Sequence, residues 1–422
     1  MKTRAGYVIR QLADTFYIIP IGQRIADRRR CLKINQTGCV IWDLLQKDLS
    51  WEELLSAYTE YVKSIEMTEN TKTVKAASIG EEASTVTAAS ISSDLSTYVL
   101  TLFQFGMIQA SAKEMQAFPF APFQAKENAY YCRYNIAGIQ VHYKGRKEWL
   151  HAFFEPFLAD GKENPSAHTV KQSGISQSWH VRPLSEVPEI AGELLLFGSQ
   201  LDVYRCSGDY MLRFPSNYHL ALCMLSFDGK EAVFYYDGST QQEAVDELFY
   251  GFRAAFFYLA ALHGKYALHS ASNYYQEKAW LYSASSGTGK TTHVKLWEKL
   301  YAVPVLNGDL NLLGMENDEV FVYGIPWCGT SGVYTTKKYP LGGIILLKRG
   351  TETRVCKLPQ DERQLYTAQR MISPAWTEKQ VDDSLLFAEK LSDRILIRQL
   401  YCTQEPSAAA VMKEYIDKYL TI

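Results

Sequence analysis

The stretch Ala279-Trp-Leu-Tyr-Ser-Ala-Ser-Ser-Gly-Thr-Gly-Lys-Thr-Thr-His293 constrains the fold more than any other part of this chain. It reads as an apolar strand, a loop of small residues and the start of a helix in immediate succession. Gly287 and Gly289 let backbone N–H groups turn inward with no Cβ in the way. The helix opening at Lys290 brings the positive end of its dipole, and Lys290 itself adds a mobile cation. Ser285, Ser286, Thr288 and Thr292 complete the loop, and Thr291 is placed to ligate magnesium. The first glycine of the GxxxxGK[ST] pattern is Ala284 here. The segment therefore predicts a loop that cradles the phosphates of ATP with Mg2+.

Such a loop serves hydrolases, transferases and nucleotide-gated binding proteins alike, so further residues are needed to name a reaction. Downstream, the apolar run Val303 to Leu306 delivers Asn307-Gly308-Asp309 at the end of an expected strand. Asp309 there can hold magnesium or take a proton from an attacking hydroxyl. Upstream, His269 closes the segment Lys265-Tyr-Ala-Leu-His. Strands expected at Trp280–Ser283, Val303–Leu306, Val320–Tyr323 and Ile344–Leu347 alternate with helices, the arrangement of an α/β nucleotide-binding core.

At 422 residues the chain exceeds one ordinary core and calls for two or three domains. Lys plus Arg (44) nearly balances Asp plus Glu (46), which leaves no global field to draw in nucleic acid or an anionic membrane. The eight cysteines form no CxxC pair and no zinc-ligand spacing, so reduced buried thiols are expected. The N-terminus lacks the pattern of a secretory signal, and the longest apolar run, Ala254 to Leu262, is too short to span a bilayer. A cytoplasmic protein is expected.

The first hundred residues carry a different pattern. Short strands are expected at Tyr7–Arg10, Phe16–Ile19 and Cys31–Ile34, followed by a helix capped by Asn35 with Val40, Ile41, Leu44 and Leu45 on one side. Ser50-x-x-Glu53 is a capping box for a second helix carrying Leu54, Leu55, Tyr58 and Val62. From 64 to 93 the chain is rich in Thr, Ser, Ala and Glu without aromatics, which reads as a flexible insert. Helical spacing resumes at Asp94 with Leu95, Val99 and Leu102, stopped by Gly106. The prolines of Phe118-Pro-Phe-Ala-Pro-Phe123 predict an extended linker. The expected division is 1–111, a linker at 112–124, and 125–422. Within the last part a β-rich region runs to about Asp237 and a long helix covers about Gln241 to Leu262.

His269, the loop from Ser285 to Thr292 and the turn at Asp309 resemble HPr kinase/phosphorylase, whose fold the ATP-dependent phosphoenolpyruvate carboxykinases share. The resemblance covers roughly 125 to 415. It implies catalytic roles for Asp309, His269 and Lys290, metal binding by Thr291 and Asp309, and substrate contacts from Gly324-Ile-Pro-Trp-Cys-Gly-Thr-Ser-Gly332. The Asp-Asp pair of that family is reduced here to Gly308-Asp309. Residues 5 to 110, with Asn35-Gln-Thr-Gly-Cys-Val-Ile-Trp-Asp-Leu-Leu45, resemble the PqqD family of winged-helix domains, which bind leader segments of ribosomally made peptides. Together the resemblances imply a multidomain α+β and α/β protein, a PqqD-like winged-helix module followed by an HPr kinase-like P-loop domain. The implied function is a kinase acting on Ser or Thr of a precursor peptide recruited through its leader, with other peptide-maturation enzymes as further partners. Two other readings stand beside it: an ATP-gated peptide carrier without phosphotransfer, and a metabolic enzyme close to the carboxykinases.

Overall fold

The computed structural model describes residues 1–3, 7–12, 14–20, 32–73, 87–104, 107–111, 114, 118, 130–159, 174–190, 192–198, 200–284, 288–403 and 405–421. The chain divides into two compact units. The first groups Met1–Ala129, Val181–Leu225 and Val233–Leu248; the second groups Tyr130–His180, Ser226–Ala232 and Phe249–Ile422. This differs from the contiguous division expected at 112–124, because distant strands complete the core of the first unit. Val187, Met211 and Leu222 form an apolar cluster with Phe103 and Ala110 against it.

In the first unit, β1 (Lys2–Thr3) pairs with β5 (Ile108–Gln109), while β2 (Tyr7–Leu12), β3 (Thr15–Pro20) and β4 (Leu32–Ile34) form an antiparallel sheet in that order. Three helices follow the sheet: α1 (Gln36–Leu44), α2 (Trp51–Thr73) and α3 (Ala88–Gln104). The expected caps are present. Asn35 Oδ1 accepts the Gly38 amide at 2.8 Å, and Ser50 and Glu53 exchange side-chain-to-backbone bonds at 2.8 and 3.2 Å. Ile18, Leu45, Leu54, Leu95 and Leu102 are fully buried, so sheet and helices share one core.

The expected insert at 64–93 is shorter than its composition implies. Helix α2 runs on to Thr73 and α3 already starts at Ala88, with Thr87 Oγ1 accepting the Ser90 amide at 3.2 Å. Extending a nucleated helix fixes one residue per added hydrogen bond, so polar residues prolong a turn that apolar packing has begun. Residues 74–86, Cys31, Gly106 and most of the expected linker lie outside the described residues. The two linker positions that are described belong to a packed structure. Phe118 is buried with its ring 4.8 Å from that of Trp51, and Glu114 Oε2 accepts the Ser111 amide at 2.7 Å.

The β-rich stretch begins with β6 (Tyr130–Ile136) and β7 (Ile139–Gly145), an antiparallel hairpin whose turn places Ala137 and Gly138 at φ 55° and 78°. It continues through β8 (Ser176–Pro183), parallel to β7, then β9 (Glu193–Leu196), β10 (Asp202–Arg205), β11 (Asp209–Arg213), β12 (Leu220–Ser226) and β13 (Glu231–Tyr236). The long helix expected next is α4 (Gln242–Leu262), within which the division between the units falls.

The rest of the second unit is a helix-flanked sheet. Its strands are β14 (Tyr266–Tyr275), β15 (Lys278–Ser283), β16 (Val305–Asn307), β17 (Leu310–Glu316), β18 (Glu319–Tyr323), β19 (Lys338–Arg349), β20 (Arg354–Cys356) and β21 (Leu396–Cys402). The helices are α5 (Lys290–Tyr301), α6 (Gln360–Ala368), α7 (Glu378–Arg394) and α8 (Ser407–Thr421). Among the described strands of this sheet only β15, β19 and β21 run parallel; β14 pairs antiparallel with β15, β16 and β17, and β17 with β18. The expected strict alternation of strand and helix therefore holds only in part. Two tight hairpins replace crossover helices, with Gln276–Glu277 and Asn317–Asp318 at φ between 49° and 67°. Side chains alternate across β15: Ala279 and Leu281 join the core under α7, and Trp280 and Tyr282 join the core under α5 and α8. No helix among the described residues is long and apolar enough to cross a membrane.

One buried histidine in this core makes stability pH-dependent. His293 on α5 is 3% exposed and accepts the Trp297 indole N–H at Nε2, 3.1 Å away, so it is neutral; burial pushes its pKa down to about 3. Its folded pKa lies below its unfolded one, so the unfolded state binds the extra proton. Its stabilising contribution is complete above about pH 6.5 and falls as the pH drops toward 3. The slope approaches ~1.4 kcal/mol per pH unit. Urea unfolding followed by tryptophan fluorescence is expected to show about 2 kcal/mol less stability at pH 5 than at pH 6.5. His293→Gln, which keeps an acceptor for Trp297, should flatten this dependence; an unchanged slope would contradict the assignment.

Candidate phosphate-binding site

The site is assembled where β15 ends and α5 begins. The Ser283 hydroxyl donates to the His269 carbonyl at 2.7 Å, tying the end of β15 to β14, and Ala284 is buried. Ser285, Ser286 and Gly287 lie outside the described residues. Gly289 is the N-cap of α5 at φ 104°, a conformation in which a Cβ would be strained, and its carbonyl accepts the His293 amide at 2.9 Å. Lys290, the first helical residue, is only 8% exposed, and its ammonium reaches the Ala284 carbonyl only at a long 3.5 Å. Burial pulls its pKa down, the Asp309 carboxylate holds it up, and Arg370 adds repulsion. Thr288 lies at the bend before Gly289, and Thr291 and Thr292 are exposed on the first turn of α5.

Asp309 reaches this place through backbone register. His269 on β14 stands opposite Leu310, the first residue of β17, which sets Asp309 beside it. His269 Nε2 and Asp309 Oδ1 are 3.1 Å apart, and both side chains are about a third exposed, so a ligand can reach the pair. His269 is braced at both backbone groups, since its amide also donates to the Arg370 carbonyl at 2.8 Å. Asp309 is held by an Asx turn: Asn307 Oδ1 accepts the Asp309 and Leu310 amides at 2.9 and 3.1 Å. The hydrogen bond from His269 is the main reason its carboxyl sits below the ordinary carboxylate range. Desolvation opposes this, and the charges of His269, Lys290 and Arg253 reinforce it. Asp309 is thus ionised at neutral pH, facing cations.

The segment Gly324–Gly332 closes on this carboxylate. Gly329, at φ 60°, lies so near that a Cβ there would stand 2.8 Å from the Cβ of Asp309. Ser331 Oγ donates to the Cys328 carbonyl at 2.7 Å and accepts the Val333 amide at 3.2 Å. The same serine fills the space beside Gly308. A Cβ at Gly308 would meet Ser331 Oγ at 2.1 Å and Cβ at 2.4 Å, so no aspartate fits without displacing it. The thiol of the buried Cys328 in this turn is pushed up to about 11, chiefly by burial.

The structure thus sets His269 in contact with Asp309 and Lys290 within electrostatic reach of it, while Ser285, Ser286 and Gly287 lie outside the described residues. Reading the sequence missed Arg253 on α4 and Arg370 after α6, which act on Asp309 and Lys290 respectively. Arg253 left one trace, as a lone cation at the head of the apolar run Ala254 to Leu262; Arg370 left none. Among the described residues no group of three or more His, Cys, Asp or Glu is arranged for a metal ion. The donors on hand, the Thr291 hydroxyl and the Asp309 carboxylate, are hard oxygens. They fit an ion such as magnesium that takes its other ligands from phosphate and water.

No family model matches the chain. No curated protein matches it either. Among solved structures, the Hpr(Ser) kinase/phosphatase from Coxiella burnetii matches at 12% identity and a TM-score of 0.18, over 22% of this chain and 66% of that one. The match thus spans just under two thirds of that protein's length.

Proposed function

We propose that the chain is an ATP-dependent kinase that phosphorylates a Ser or Thr hydroxyl of a ribosomally made precursor peptide, recruited through a leader bound by residues 1–111. One observation carries the phosphotransfer reading: an ionised Asp309, 3.1 Å from His269 Nε2, stands in the field of the buried Lys290 at the start of a helix that follows a strand and a small-residue loop. In this reading the acceptor oxygen forms the new bond to the γ-phosphorus as the bond to the bridging oxygen breaks. Asp309 takes the hydroxyl proton, and His269 orients the carboxylate by donating to Oδ1. Lys290 and the amides at the head of α5 stabilise charge on the phosphate oxygens. Mg2+, held by Thr291 and Asp309, would neutralise charge on the phosphates.

The leader assignment is supported by the hairpin sheet and the capped helices of the first unit, which offer a sheet edge for an added strand. Captured in this way, the acceptor residue would be present at high effective concentration. The test is incubation of the full chain with γ-labelled ATP, magnesium and candidate precursor peptides, with mass spectrometry locating the label. Phosphorylation of a peptide that disappears when its leader is removed is the expected result. ATP binding without transfer to any peptide would replace this reading by the ATP-gated carrier.

A further inference from the structure

Helix α4 carries Phe249 and Arg253 one turn apart and hence on one face. The Phe249 carbonyl accepts the Trp327 indole N–H at 3.0 Å, and the two rings are 5.8 Å apart. Trp327 lies two residues before Gly329, whose backbone is packed against the Asp309 carboxylate. The face of α4 that bears Arg253 therefore fronts the turn that closes on Asp309.

Arg253 sits over the Tyr250 ring at 4.8 Å, and among the described residues it makes no hydrogen bond and no ion pair. None of the five donors of this half-buried guanidinium is sealed from solvent without a partner, so all of them can turn to a ligand that supplies acceptors. Three cations bear on Asp309 or its neighbours. Lys290 and Arg370 act on each other and Lys290 on Asp309, whereas Arg253 couples to Asp309 and Tyr250 alone. Beside Arg253 the surface is aromatic. Tyr250 is 44% exposed, His151 stacks on Phe249 at 4.5 Å, and Phe153 meets Tyr334 at 5.1 Å.

We propose that Arg253, backed by Tyr250, forms a second anion subsite where α4 fronts the Gly329 turn at Asp309, taking a phosphate or carboxylate group of the acceptor. Placing it on the acceptor side rests on the kinase reading; the anion site itself does not. In such a site a planar guanidinium holds the anion through paired N–H donors, and the aromatic wall excludes water from them.

The probes are inorganic phosphate and acetate, each titrated calorimetrically into the full chain saturated with ADP and magnesium, with ADP affinity measured separately. Arg253→Gln is expected to weaken anion binding at least tenfold while ADP affinity stays within twofold. Arg253→Lys, which keeps the charge, should recover part of the loss and guards against a folding artefact. Tighter binding of phosphate assigns the subsite to a phosphate group carried by the acceptor, and tighter binding of acetate assigns it to a carboxylate beside the acceptor hydroxyl. Anion affinity unchanged in Arg253→Gln, or no saturable binding of either anion to the wild type, overturns the proposal. Failure of the wild type to bind ADP overturns the kinase reading instead, and the anion titrations without nucleotide then decide on Arg253 alone.

Discussion

Asp309→Asn is expected to lower the turnover number of phosphotransfer by about a thousandfold, the scale of a lost general base, while leaving ATP bound. The amide keeps the shape of the carboxylate and can still meet His269. It cannot take a proton or carry the negative charge that Lys290 and Arg253 now face. Asp309 also repels phosphate oxygens, so removing its charge should leave nucleotide affinity in the absence of magnesium unchanged or raise it. Lys290→Ala is the contrasting variant, because Lys290 serves both ground state and transition state; nucleotide affinity and turnover should fall together. Steady-state kinetics on a confirmed peptide, with nucleotide binding measured by calorimetry, separates the two. Turnover of Asp309→Asn within tenfold of wild type would remove Asp309 from the chemistry. The pH profile offers a second check. The Asp309 carboxyl lies below the ordinary carboxylate range, so the acid limb of activity should fall below pH 4, far from the titration of an ordinary histidine.

The parts of this site that sequence revealed are local, and the parts it concealed depend on register. Gly289, Lys290 and Thr291 stand consecutively at a strand-to-helix junction, so the roles proposed for them could be read from residue types and spacing. That His269 would meet Asp309 depends on β14 lying beside β17, and neither strand was foreseen. Strand β14 contains Ser270, Ala271, Ser272 and Asn273, all fully buried, so it shows no alternation of apolar and polar residues. Its two serine side chains are satisfied sideways instead: Asn311 Nδ2 donates to Ser270 Oγ at 3.0 Å, and Ser272 Oγ to Asn311 Oδ1 at 2.6 Å. Periodicity cannot report such a strand, because the pattern that hides the residues is made by partners on another strand. The same reason explains Arg253, which belongs by sequence to an apolar helix and by space to the carboxylate. In the first unit the caps at Asn35 and Ser50 were legible because capping is a three-residue affair. The grouping of Val181–Leu225 with the N-terminal residues was not, since nothing local marks it.

That residue 308 is a glycine can be tested as a packing problem. Gly308→Asp alone is expected to destabilise the protein by about 1–3 kcal/mol, the usual cost of forcing atoms into a filled space. The obstacle is Ser331, whose Oγ and Cβ would lie 2.1 and 2.4 Å from the new Cβ; the next atom, the Cys328 carbonyl oxygen, is at an ordinary 3.6 Å. Ser331→Gly clears both atoms. By itself it should cost about 1 kcal/mol, through the lost bonds to the Cys328 carbonyl and the Val333 amide. Combined, the two substitutions should be less destabilising than their sum by about 1–2 kcal/mol, because the clash that dominates the first is absent once the second is made. Urea unfolding of the four proteins measures this coupling, and strict additivity would show that Ser331 is not what keeps residue 308 a glycine. The double variant would also set a second carboxylate beside Asp309, and like charges at that range raise a carboxyl pKa. The acid limb of its activity should accordingly move upward relative to wild type, while in Ser331→Gly alone it stays in place.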